Sequence, residues 1–247
     1  MKRIFSQLAL SFYAMVYKEK TKLAKYTKIK VALAVMALAV FTLGCSNVGN
    51  NNSNESSKSN ECDNQTQKLA IDFNGHTYVD LGLPSGTLWA TCNVGASSPK
   101  SYGNYYAWGE TRTKSTYSNV NYSYNGNPNS LPSSADVAAT NWGGDWRMPT
   151  DEEIEELVKV CNWRVVYAEG YEVTGPNGQS IFLPAAGVRG DDILDGTGRG
   201  GCYWTNTIHY ETDYAYVLYF SLEDNKEYVT SMPRTFGYSV RAVCSKK

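Results

Sequence analysis

The sequence predicts an α+β domain of antiparallel strands, two short helices and long loops, and three observations lead to this prediction. An amphipathic stretch after Thr150 combines helical periodicity with a capping signal. The chain after Trp163 consists of short strand-like segments separated by turn residues. Two long polar connections, residues 111–132 and 189–200, are predicted loops. The domain is expected to span residues 69–245.

Residues 1–44 have the features of a removable export signal. Six lysines lie between Lys18 and Lys30, and an uncharged apolar stretch of 13 residues follows at 31–43. This stretch is too short for an ordinary membrane span, because a helix needs roughly 20 residues to cross a bilayer core. A basic segment before an apolar segment of this length is typical of a signal peptide. Translation from either Met1 or Met15 preserves the pattern.

The end of this signal resembles the lipobox of bacterial lipoproteins, whose cysteine is acylated and becomes the first mature residue. The apolar stretch ends in Leu43-Gly44-Cys45, which predicts lipidation at Cys45. Residues 45–68 are the expected tether, because 12 of the 22 residues at 46–67 are Asn or Ser and such a segment buries too little apolar surface to fold.

We therefore expect the chain in the cell envelope, held by its lipid on the outer membrane, with the domain either periplasmic or surface-exposed. Two or three acyl chains anchor a protein stably, which one chain alone does not achieve. The alternative is a secreted protein with a plain signal and a free thiol at Cys45.

The net charge of the mature part excludes one class of partner. The whole chain has 23 basic and 24 acidic residues. Residues 1–44 hold eight of the basic and one of the acidic residues, which leaves 15 and 23 and a net charge of −8. An acidic domain has no electrostatic footprint for phosphates. Nucleic acid and anionic lipid surfaces are therefore not expected partners.

The first half of the domain contains a predicted hairpin, two strands and a helix. Asn74-Gly75 between apolar residues is a strong signal for a hairpin turn. Residues 87–94 alternate between apolar and polar positions, as a strand with one buried face does. Residues 105–108 form a short aromatic segment that we interpret as a strand, and residues 134–142 are predicted to form a short helix.

The clearest helix begins after Thr150. Thr150 and Glu153 have the spacing of a capping box, in which each side chain bonds the backbone of the other residue. Three acidic residues occupy the first turn, where the helix dipole favours negative charge. The expected buried stripe follows the spacing i, i+3, i+4, i+7, and it consists of Ile154, Leu157, Val158 and Cys161.

The second half of the domain is predicted to be mainly strands. Turn residues at 176–178 and 223–226 separate two of the pairs. Residues 214–220 are apolar on both faces, so this strand is placed in the interior of a sheet. The predicted strands are 164–168, 170–175, 179–186, 202–207, 214–221, 227–233 and 236–244.

Several motifs in fixed order resemble one family. They include Trp89-Ala90-Thr91-Cys92, Tyr106-Ala107-Trp108-Gly109-Glu110, Asp145-Trp146-Arg147-Met148-Pro149 and Phe182-Leu183-Pro184-Ala185-Ala186-Gly187. From about residue 72 to 244 the chain resembles the Fibrobacter succinogenes major paralogous domain, which is common in Bacteroidetes envelope lipoproteins. The resemblance implies a C-type lectin-like fold, with a more distant likeness to formylglycine-generating enzymes. It implies a fold and a setting and assigns no reaction.

The resemblance also bears on the cysteines. Family members often carry both the Trp-Ala-Thr-Cys element and a Cys-x-Trp element, which implies a disulfide between Cys92 and Cys161 and leaves Cys202 to pair with Cys244. Disulfides persist in the envelope. Four cysteines allow three connectivities, and four buried free thiols are the alternative.

No catalytic residue, metal ligand or cofactor is predicted. His76 and His209 are the two histidines, and neither lies in a recognisable order with a nucleophile and an acid. Formylglycine-generating enzymes need a close cysteine pair, whereas Cys202 and Cys244 are 42 positions apart. The acidic segment at 191–196 lacks the alternating spacing of a calcium loop.

The two predicted loops carry the candidate ligand contacts. Tyrosines in a loop rich in Asn and Ser suit a glycan, although loop tyrosines also pack down onto their own domain. The candidates are Tyr117, Tyr122 and Tyr124 in one loop and Asp191, Asp192 and Asp195 in the other. The sequence thus favours a non-catalytic binding or adhesion module for a glycan or an envelope protein. A structural envelope component is the alternative, and an enzyme distantly like the formylglycine-generating proteins is the third hypothesis.

Overall fold

The computed structural model describes residues 70–71 and 75–246. The predicted signal, the lipidation site Cys45 and the tether at 45–68 lie outside the described residues. Helix α1 is Val137–Trp142 and helix α2 is Asp151–Val160. The strands are β1 Ala70–Ile71, β2 Thr77–Asp80, β3 Thr87–Asn93, β4 Asn162–Val166, β5 Gly170–Thr174, β6 Ser180–Pro184, β7 Ala186–Gly190, β8 Ile193–Thr197, β9 Gly200–Ile208, β10 Tyr214–Ser221, β11 Lys226–Pro233 and β12 Arg241–Ser245.

The described strands form three sheets. Their orders are β1-β2-β3-β12, β11-β10-β9-β7-β8 and β4-β5-β6. All the pairs are antiparallel except β7 with β9, which run parallel. Strand β10 has a neighbour on each side, as its apolar faces predict. The α+β class is confirmed.

Two core clusters lie on opposite faces of the five-stranded sheet. In β10, Ala215 and Val217 belong to the first cluster, and Leu218 and Phe220 belong to the second. The first cluster also contains five large rings, those of Tyr106, Trp108, Trp146, Trp204 and Tyr238. The five-stranded sheet is therefore covered by buried apolar residues on both faces and supports the loops at its edges.

Helix α2 covers the second cluster, and its predicted start is confirmed. The Thr150 hydroxyl accepts from the Glu153 N–H at 3.2 Å, and the Glu153 carboxylate accepts from the Thr150 N–H at 2.9 Å. Ile154 and Leu157 are buried, while Val158 and Cys161 are half-buried against the same cluster. Among the described residues, no helix is both long and apolar enough to cross a membrane.

Three predicted segments differ from the structure. Most of the predicted loop at 189–200 belongs to the β7–β8 hairpin, in which Arg189 pairs with Leu194. The loop prediction was wrong because apolar residues of this hairpin are exposed. Its sequence therefore lacks the alternation of apolar and polar residues that indicates a strand. The predicted strand at 105–108 makes only an isolated bridge from Tyr106 to Tyr238. The predicted strand at 236–244 is regular only in β12, because Gly237, Tyr238 and Ser239 make only isolated bridges, each to a different segment.

Candidate functional site

The two predicted ligand loops lie side by side. The Tyr117 N–H donates to the Asp191 carbonyl at 2.7 Å, and the Asp191 N–H donates to the Tyr117 carbonyl at 2.8 Å. Asp191 adopts a φ of 51°, the left-handed region that allows the β7–β8 hairpin to turn there. Residues 111–132 and 189–200 are therefore neighbours in space, although they are far apart in the sequence.

Tyr117 is a core residue and has no free ring face for a ligand. Its side chain is 2% exposed, and its hydroxyl donates to the Tyr105 carbonyl at 2.5 Å. The ring packs on the backbone of Gly237, where an added Cβ would lie 2.8 Å from it. For this residue the alternative holds, namely that a loop tyrosine packs down onto its own domain.

Tyr122 and Tyr124 surround a buried arginine. Arg234 is 5% exposed, and its guanidinium lies 4.6 Å from the ring centre of Trp108 and 5.4 Å from those of Tyr122 and Tyr124. Tyr124 in turn lies so close to Gly109 that a Cβ there would be 2.2 Å from its ring. Both tyrosines are half-buried, so much of each side chain packs against the domain and only part of it is available to a ligand.

Arg234 joins the long loop to the turn between β9 and β10. Its guanidinium donates to the Asn127 side chain at 2.8 Å, to the Thr212 carbonyl at 2.7 Å and to the Gly126 carbonyl at 2.8 Å. Its Nε–H donates to the Tyr122 hydroxyl at 2.9 Å. Burial raises the pKa of Tyr122 to about 12, so this phenol stays protonated and donates onward to the Trp108 carbonyl at 2.8 Å.

The turn that Arg234 holds carries a cluster of four rings, which we call the aromatic hairpin (residues 208–216). The His209 ring lies 3.9 Å from that of Tyr210, 5.2 Å from that of Tyr216 and 6.3 Å from that of Tyr214. His209 Nδ1 accepts from the Glu211 N–H at 3.2 Å, which orients the imidazole. Tyr210 is 82% exposed, although large rings are usually buried.

A segment rich in side-chain amides borders the aromatic hairpin; we call residues 125–129 the amide loop. The Ile208 N–H donates to the Asn129 carbonyl at 3.1 Å, and the Leu131 N–H donates to the Asn206 carbonyl at 2.9 Å. Asn125, Asn127 and Asn129 are all exposed. Each amide side chain can both donate and accept hydrogen bonds. The exposed Tyr210 ring, the half-buried rings of His209, Tyr214 and Tyr216, and the amide side chains of residues 125–129 therefore lie on adjoining segments.

The acidic candidates do not assemble into a site. Asp195 accepts from Arg199 at 2.9 Å, Asp192 is exposed in the β7–β8 turn, and Asp191 acts through its backbone. Within residues 75–246, no group of three or more His, Cys, Asp or Glu side chains is arranged to hold a metal ion.

Cys92 is not bonded to Cys161, and Cys202 is not bonded to Cys244, so the structure lacks the disulfides that the family resemblance implies. Cys202 and Cys244 are buried in the first core cluster, whereas Cys161 packs against the second. Alternation along β3 puts Cys92 on the same face as Leu88 and Ala90, which belong to the first cluster. Burial raises the pKa of Cys161 to about 11 and that of Cys202 to about 12, so both thiols are protonated and unreactive.

A separate open cleft lies beside the turn between β4 and β5. Its volume is about 430 Å³, and it is lined by Lys100, Ser101, Tyr102, Ala168 and Glu169. The Lys100–Glu169 ion pair inside it is largely exposed, and the neighbouring Tyr167 is 87% exposed. This cleft has a single exposed ring beside it and an ion pair that already satisfies its charges.

Reading the sequence missed His209, Tyr210, Tyr214, Tyr216 and Arg234 as a group. One local signal was present, because three tyrosines and a histidine fall within the eight positions 209–216. No local pattern indicates the role of Arg234, because most of its partners lie more than 100 positions away in the long loop.

We compared the chain with protein-family models, with curated proteins and with solved structures, and none of them matches it.

Proposed function

We propose that the domain is a non-catalytic glycan-binding module whose site consists of the aromatic hairpin and the amide loop. The observation that carries this proposal is the cluster of four rings around an exposed turn. Sugar rings have apolar faces edged by hydroxyls, so they stack on aromatic rings and exchange hydrogen bonds with side-chain amides. The hairpin and the amide loop offer both kinds of group within one surface.

Rigidity of this surface supports the proposal. A binding loop keeps more of its contact energy when it is already ordered before the ligand arrives. Arg234 fixes the amide loop to the turn of the aromatic hairpin through Asn127 and Thr212. The surrounding rings of Trp108 and Tyr122 hold the guanidinium in place.

The proposed setting is the cell envelope, with the domain displayed from a lipid-anchored tether. The lipobox-like ending at Cys45 and the polar composition of residues 46–67 support this setting. A C-type lectin-like fold of the Fibrobacter succinogenes major paralogous domain remains our proposal for the family. The mixed architecture and the pairing of β3 with β12, which brings both ends of the domain together, agree with it.

A glycan array with a matched pair of variants tests the proposal. Tyr210→Ala removes the most exposed ring of the aromatic hairpin, and Tyr167→Ala removes an equally exposed ring at the open cleft. A stacked ring contributes roughly 1 kcal/mol, which is about a fivefold change in affinity. We expect the full-length protein to bind glycans, Tyr210→Ala to bind about fivefold more weakly, and Tyr167→Ala to bind unchanged.

Three outcomes would contradict the proposal. A wild-type protein that binds no glycan would favour a structural envelope component. Full affinity in Tyr210→Ala would remove the aromatic hairpin from the site. Loss of binding in Tyr167→Ala alone would move the site to the cleft beside the β4–β5 turn.

A further inference from the structure

Acidic residues lie within the aromatic hairpin and at the start of the adjoining helix α2. Glu211 and Asp213 lie within its turn and are exposed. The start of helix α2 adds Asp151 and Glu152, because the Asp151 N–H donates to the Thr207 hydroxyl at 3.3 Å, two positions before His209. Four acidic residues thus lie within the aromatic hairpin or in the adjoining first turn of helix α2.

Among the described residues, no lysine or arginine forms an ion pair with these carboxylates. Arg234 is buried, and it donates to carbonyls, an amide and a phenol of the loops. Arg147, near the start of the same helix, is paired with Glu153.

We propose, on the basis of the glycan-binding function above, that this site accepts neutral glycans and rejects anionic ones. A ligand with a carboxylate, sulfate or phosphate would bring a like charge beside Glu211 and Asp213 and find no free guanidinium or ammonium group there. A neutral sugar meets the same rings and amides without repulsion.

The test compares two ligands that differ in one group. The first is the neutral oligosaccharide that the full-length protein binds best on the array, and the second is the same oligosaccharide with a primary alcohol oxidised to a carboxylate. Titrations at about 10 mM and about 1 M salt change the Debye length from about 30 Å to about 3 Å. We expect about a tenfold preference for the neutral ligand at low salt, and a much smaller one at high salt.

Two double variants with the same change in net charge show which carboxylates cause the preference for the neutral ligand. Glu211→Gln with Asp213→Asn should remove most of the preference, because it raises affinity for the oxidised ligand much more than it changes affinity for the neutral one. Asp192→Asn with Glu223→Gln removes two exposed carboxylates elsewhere in the domain and should leave the preference intact.

The outcomes separate this inference from the proposed function. A protein that binds neither ligand would overturn the glycan-binding function itself. A protein that binds both ligands equally at low salt would overturn the charge selection and leave the glycan-binding function standing. An equal loss of preference in both double variants would also overturn it, because the effect would then come from net charge and not from the hairpin.

Discussion

Buried guanidinium groups hold together parts of this domain that are distant in sequence. Arg241 is 1% exposed and donates to the Asn93 side chain and to the carbonyls of Ala90, Thr91 and Phe182, at 2.8–2.9 Å. It thereby links β3 with β6. Burial lowers the pKa of Arg241, but a guanidinium remains charged in proteins. A lysine cannot replace it, because an ammonium group lacks the planar fork that reaches all four acceptors.

At the residue scale, Tyr117→Ala should destabilise the domain. It removes a buried ring that packs on Gly237, and loss of such a ring costs about 3–5 kcal/mol. Tyr117→Phe removes only the hydroxyl that bonds the Tyr105 carbonyl, so about 1 kcal/mol is expected. Urea denaturation of both variants and of Tyr167→Ala, an exposed control, measures the difference. Equal stability of Tyr117→Ala and Tyr167→Ala would show that Tyr117 is not part of the core.

Helix α2 depends on one carboxylate for several contacts. Glu153 accepts from the Thr150 N–H, from both terminal nitrogens of Arg147 at 2.6 Å and from the Thr87 hydroxyl at 2.8 Å. These bonds attach the first turn of the helix to β3 and to the segment before the helix. Burial alone would raise the pKa of Glu153, but Arg147 and the Thr150 N–H outweigh burial and lower it.

At the element scale, Glu153 should make the domain sensitive to acid. Because its pKa is lower in the folded state, its stabilisation is complete above its ordinary pKa of 4.5 and is lost as pH falls through the folded value. Glu153→Gln should lower the free energy of unfolding at pH 7 by about 1.5–3 kcal/mol. It should also flatten the loss of stability below pH 4.5.

Urea denaturation between neutral and acidic pH checks this prediction. Glu155→Gln is the matched control on the same helix, because its exposed pair with Lys159 contributes about 0.5 kcal/mol or less. If the free energy of unfolding falls equally steeply below pH 4.5 in Glu153→Gln and in the wild type, another group controls the loss of stability in acid.

On the scale of the whole molecule, the proposed membrane anchor depends on one thiol, that of Cys45. Cys45→Ala should abolish membrane fractionation and the incorporation of radioactive palmitate, because no other residue of the chain follows a lipobox-like segment. Cys62→Ala removes the other cysteine of residues 45–68 and should keep both. Unchanged labelling of Cys45→Ala would contradict the lipoprotein assignment, and loss of labelling in Cys62→Ala would move the acylated position.

The sequence by itself determined the features that depend on near neighbours. The capping box of Thr150 and Glu153, the buried stripe of α2, and the strands β9 to β11 were all predictable, because each rests on residues within about ten positions of one another. The same holds for the turn at Gly75, whose φ of 81° a glycine adopts without strain.

Only the tertiary structure decided which distant groups meet. The β7–β8 hairpin is stabilised by pairing with β9 and by the Tyr117–Asp191 bridge, so its own sequence carries no strand pattern. The burial of Tyr117 depends on Gly237, 120 positions later, and the position of the amide loop depends on Arg234. Local patterns report the preferences of a segment, whereas a binding surface depends on packing between segments that the chain brings together only when it folds.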